Sequence, residues 1–145
     1  MSGVLRVDGL VTIPCYFGFE SLRAIARQLV EPSALLAGRE VGAVPLEALL
    51  EAAGVCAGAQ SIVAESDDGS YVTTMPFESV RQCVIFYRIA EGPLPRGLGG
   101  PYRLMTSGRV GSGDVKALGS IYVSDRRFVD VDDTERVCVR VTRAA

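Results

Sequence analysis

Two cations bracket a glycine-rich stretch of this chain. Arg103 precedes it, Lys116 follows it, and Gly111-Ser112-Gly113 lies between them. A guanidinium offers a planar fork of donors and an ammonium offers a mobile point charge. Backbone N–H groups exposed by a glycine-rich loop can close around phosphate oxygens. The three together are chemistry for holding an anion. A plainer reading stands beside it: an arginine that braces loops, a solvated lysine, and glycines that only turn the chain.

Other chemistry is narrowed by what the sequence lacks. It contains no histidine. Ser-His-Asp and Cys-His nucleophiles, most zinc sites and imidazole acid–base steps are therefore not expected. Cys15, Cys56, Cys83 and Cys138 show no metal-pair spacing. Cys83, ahead of the run Val84-Ile85-Phe86-Tyr87, and Cys138, between Val137 and Val139, read as small core residues. No catalytic residue and no metal ligand is assigned. Lys and Arg number 15 against 17 Asp and Glu, with the signs interspersed, so no nucleic-acid partner is expected. No apolar run approaches a bilayer span and the start does not read as a signal peptide, so the expected location is cytoplasmic, away from membranes.

The elements that must position these residues are short. The 145 residues are enough for one domain, and a 48% apolar content is enough for a core. Val4–Val7 reads as a strand ended by Asp8-Gly9. Phe19, Leu22, Ile25 and Leu29 recur at helical spacing and predict a helix over 19–29. Pro45 suits a first helical position, Leu46, Leu49, Leu50 and Ala53 form one apolar face, and Gly54 suits the left-handed closing residue. Asp67-Asp68-Gly69 between two β-branched runs predicts a hairpin. A third helix is expected over 76–82, and strands over 84–89, 102–105, 121–123 and 137–141. No βαβ alternation appears, which argues against a doubly wound parallel sheet. The expected fold class is α+β: one β-rich, mixed-sheet domain over residues 1–145 with two or three short helices.

The stretch from Glu91 to Val123 resembles the molybdopterin-binding domain of the sulfite oxidase family. Gly92-Pro93-Leu94-Pro95, Gly99-Gly100-Pro101-Tyr102-Arg103, Val110-Gly111-Ser112-Gly113 and Val115-Lys116-Ala117-Leu118 follow that family's motifs in order. Val44-Pro45-Leu46 through Gly54, the Asp68-Gly69 turn and Val7-Asp8-Gly9-Leu10-Val11 fit as well. The resemblance implies a molybdopterin cofactor. It implies Arg103, Ser112, Gly113, Val115 and Lys116 as the residues that bind it, near the cofactor's terminal phosphate.

The sequence also departs from the family. The interval 30–43, where the family carries its molybdenum-ligating cysteine, has none, and Leu98 stands where a pterin-contacting histidine is expected. Asp114 adds a carboxylate next to the anion loop. Two readings follow. One is a divergent oxidoreductase-like domain that binds a molybdopterin-type or other phosphate-bearing small molecule without the usual molybdenum chemistry. The other is a pseudo-enzyme that serves as a protein-binding module or as a subunit of a larger complex.

Overall fold

The computed structural model describes residues 3–32, 40–106 and 114–127. Two sheets face each other across the main core. The first runs β2 (Cys15–Phe17), β1 (Leu5–Gly9), β10 (Leu118–Ser124), β5 (Ser61–Ser66), β6 (Val72–Pro76). The second runs β3 (Leu29–Pro32), β4 (Glu40–Pro45), β7 (Cys83–Ile89), with β8 (Gly92–Pro93) and β9 (Arg103–Thr106) both pairing with β7. All pairings are antiparallel except β1 with β10. This is the expected α+β, β-rich mixed-sheet fold.

Alternation along the strands builds the core. Leu5 and Val7, Ile62 and Ala64, and Ile121 and Val123 point inward from the first sheet. Ile85, Tyr87 and Leu104 meet them from the second. Helix α2 (Leu46–Ala53) lays Leu46, Leu49, Leu50 and Ala53 into the same core, and Gly54 closes it in the left-handed conformation at φ 74°. Pro45 stands one residue outside the expected position, as the N-cap and the last residue of β4.

The helix expected over 19–29 is much shorter. Helix α1 spans Phe19–Arg23, and Leu29 already belongs to β3. The Gln28 side chain explains the early stop. Its amide donates to the carbonyls of Leu22 and Ile25 at 2.8 and 2.9 Å, so the carbonyls left by the ended helix are satisfied without another turn. Its oxygen accepts a 2.6 Å bond from the buried Tyr87 hydroxyl, which ties the segment to β7. The third helix is a 3-10 helix, Phe77–Gln82.

Residues 40–44, given no element by the local sequence, join Pro45 in β4. An irregularity between Gly42 and Ala43 shifts its register. The extra residue is Tyr87 on β7, and ordinary alternation along β4 puts Val44 in the main core and Val41 and Ala43 in a second, smaller cluster with Phe86, Ile89 and Leu94. The expected strand over 137–141 lies outside the described residues. No helix among the described residues is long and apolar enough to cross a membrane.

Candidate functional site

Strand β9 carries Arg103 on the side of the second cluster, opposite the buried Leu104. Leu104 and Val115 exchange both backbone hydrogen bonds, at 2.9 and 3.0 Å. That pairing puts residues 103 and 116 across from each other on one face of a two-stranded ribbon. Gly99 lies against them both. A Cβ built there would sit 2.8 Å from Arg103 Cδ and 3.2 Å from Lys116 Cγ. Gly99 also takes φ 92°, a left-handed conformation that side chains disfavour. Backbone and space therefore both require glycine at this position.

The environments of the two cations differ. Arg103 is 9% exposed, and its Nη1 donates to the Leu98 carbonyl at 3.1 Å. Its Nε is buried with no acceptor among the described residues. A buried donor without a partner costs about 1–3 kcal/mol, so such groups are rare without a reason. Lys116 is exposed, and its amine has no hydrogen bond or ion pair among the described residues. The site thus combines a fixed, half-satisfied guanidinium with a free ammonium.

The 96–99 loop beneath them is held from outside. Arg96 Nη2 lies 2.9 Å from Asp67 Oδ2 in the β5–β6 turn, and this bond raises the pKa of the Arg96 guanidinium further. Next to that contact, Asp68 is drawn down to about 2, chiefly by the Ser70 hydroxyl, then by the Ser70 amide and the Ser66 hydroxyl. Asp114 accepts from the Thr106 amide at 3.3 Å, so its carboxylate is partly engaged by the ribbon's own backbone.

Of the sequence-predicted residues, Arg103 and Lys116 come together. Val115 is fully buried with both backbone groups paired to Leu104, and what it supplies is the register that sets Lys116 opposite Arg103. Ser112 and Gly113 lie outside the described residues. Sequence reasoning missed the role of Gly99, the Leu98 carbonyl that takes the Arg103 bond, and the Asp67–Arg96 pair. Gly99 was visible only as one glycine of a motif, and nothing local marked Asp67 as the partner of an arginine 29 residues away.

A family model for the oxidoreductase molybdopterin-binding domain matches residues 33–131. The chain belongs to that family. The matched residues take in β4 to β10, and with them Arg103 and Lys116. Among solved structures, the sulfane dehydrogenase SoxCD from Paracoccus pantotrophus is similar, with a TM-score of 0.69 and 24% identity over 86% of this chain. This chain spans 38% of the length of that one. No curated protein matches the chain.

The residues present fit the phosphate of a molybdopterin. A guanidinium N–H and an ammonium, both without a partner among the described residues, share one face, as an oxyanion needs. The described thiols stand elsewhere. Cys83 pairs with Thr106, three positions along β7 from Phe86, the partner of Arg103, or about 10 Å at strand spacing. Its thiol is buried against Met75 Sδ and the Ser79 carbonyl, and that burial pushes its pKa up. Cys15 Sγ donates to the Ile13 carbonyl, and Cys56 Sγ lies 4.0 Å from Thr12 Oγ1. Both sit beside the first sheet.

Proposed function

We propose that this domain binds a phosphate-bearing pterin of the molybdopterin type through Arg103 and Lys116, and does so without a protein thiolate on the metal. The buried Arg103 Nε with no acceptor carries the reading. A guanidinium held in place by Leu98 on one side and left open on the other is preorganised for an incoming oxyanion. Lys116, opposite it, adds a second positive charge from the solvent side. Molybdopterin, when bound, supplies dithiolene sulfurs that can hold molybdenum. The chain's own contribution is to grip and orient the phosphate end. Leu98, packed against the second cluster, offers an apolar side chain and its carbonyl there, with no imidazole.

The test is elemental analysis for molybdenum, with pterin fluorescence on the same sample, from a host that makes the cofactor. Pterin with or without metal in the parent protein, and none in Arg103→Ala, supports the reading. Equal pterin in both overturns it.

A second reading, a binding module or subunit of a larger assembly, is favoured by one observation. Tyr16 and Tyr122 are 66% and 43% exposed, on strands of the same sheet. The register sets them across Arg6 and Asp8 of β1, on one outer face of that sheet. Tyr16→Ser with Tyr122→Ser would leave pterin content unchanged and shift the oligomeric or complexed state if this reading holds.

A further inference from the structure

We propose that Asp67 and Arg96 are positioning residues for the phosphate site, a clasp that holds Arg103 and Lys116 side by side; this rests on the phosphate-binding reading above. The pair is two-pronged, with Arg96 Nη2 at 2.9 Å from Asp67 Oδ2 and Nη1 at 3.5 Å from Oδ1. The Arg96 side chain is 58% exposed. An ion pair so open to water contributes little to stability. Its consequence is geometric, because both partners lead to the same glycine.

One path runs through Arg96. It opens the 3-10 helix Arg96–Leu98, and its carbonyl accepts the Gly99 amide at 3.0 Å. Leu98, in the same turn, gives its carbonyl to Arg103. The other path runs through Asp67. Its amide donates to the Ala117 carbonyl at 2.6 Å, and the Ala117 amide donates to the Gly99 carbonyl at 2.7 Å. Ala117 directly follows Lys116 and takes φ 51°, a left-handed conformation uncommon for alanine. Gly119 lets this turn approach, since a Cβ there would come within 2.5 Å of Asp67 Cα.

The result is a closed ring: Asp67, Arg96, the 96–99 turn, Ala117, and back to Asp67. Arg103 joins it through the Leu98 carbonyl, and Lys116 directly precedes Ala117. Every link except Asp67–Arg96 is backbone. Removing the carboxylate charge opens the ring at its one side-chain joint and leaves the strands intact. Asp67 also occupies the Arg96 guanidinium, so Arg96 is a brace and not a third phosphate donor.

The experiment compares the parent with Asp67→Asn, Arg96→Gln and the swapped pair D67R/R96D, each checked for an unchanged β-sheet spectrum. Two-dimensional nitrogen–proton spectra follow the Gly99 and Ala117 amides and the Arg103 Nε–H. Titration with inorganic phosphate follows the same signals. The clasp predicts that Asp67→Asn shifts all three signals and weakens phosphate at least about fivefold, with recovery in the swapped pair. Unmoved Gly99, Ala117 and Arg103 signals in Asp67→Asn would overturn it. So would tighter phosphate binding in that variant, which would make Arg96 a direct donor. A parent protein that ignores phosphate would sink the binding reading, while the three signals would still decide the clasp.

Discussion

The main core and the Arg103 ribbon are built from the same strands and solve opposite problems. In the core, a buried polar side chain is matched: the Tyr87 hydroxyl, on a fully buried residue, donates to Gln28 at 2.6 Å. On the ribbon, Arg103 is nearly as buried, and its Nε has no acceptor among the described residues. A core selected for stability satisfies its donors or does without them. A donor left without an acceptor beside an exposed lysine is the feature on which the proposed ligand site rests. The contrast separates packing that holds the fold from a polar face that packing alone does not explain.

The largest effect should come from the core. Leu49→Ala removes a fully buried side chain from α2 and should cost about 2–5 kcal/mol, read from urea denaturation. Leu94→Ala, in the smaller cluster beside the ribbon, should fall at or below the lower end of that range. Equal losses would show that the two regions share one packing role, and the contrast would break.

Gly99→Ala should come next. Its Cβ would meet Arg103 Cδ at 2.8 Å in a left-handed backbone, a cost of about 1–3 kcal/mol. Phosphate affinity should fall with it, because Arg103 is the atom group that must move. A stability loss with unchanged affinity would detach Gly99 from the site.

Arg103→Met should sharpen the distinction furthest, with a small stability change and a large binding change. The variant loses the bond to Leu98 and also loses an unpartnered buried donor, and the two effects oppose each other. The thermal midpoint should move less than in Leu49→Ala, while affinity for a phosphorylated pterin drops about tenfold or more. A midpoint that collapses would make Arg103 a structural brace.

The smallest effect is read in the pH profile of stability. Asp68 is held at about 2 against an ordinary 3.8, so its charged form is favoured by folding. That contribution is present above the ordinary value and is lost as pH falls through about 2. Asp68→Asn should therefore be slightly less stable than the parent near neutrality, with the difference shrinking away between roughly pH 4 and 2. An identical acid profile in parent and variant would place the acid sensitivity elsewhere.

Local signals made much of this fold legible. The apolar face of α2, its Gly54 closure and the Asp-Gly turn between β5 and β6 all depend on a few consecutive residues, and each stands where the sequence puts it. The two cations were legible as well, since residue type alone says that Arg103 and Lys116 can hold an anion. Tertiary structure decided the remainder. It cut the 19–29 helix at Arg23, because Gln28 found the helix carbonyls and Tyr87. It recruited 29–32 and 40–45 as strands, because an open ladder was available beside β7. It buried Arg103, set Lys116 across from it through the Leu104–Val115 pair, and joined Asp67 to Arg96. Strand pairing and ion pairing depend on residues far away in the chain, and periodicity reports only on neighbours. The sequence by itself determined which groups could bind; only the packed sheets decided that they would face one another.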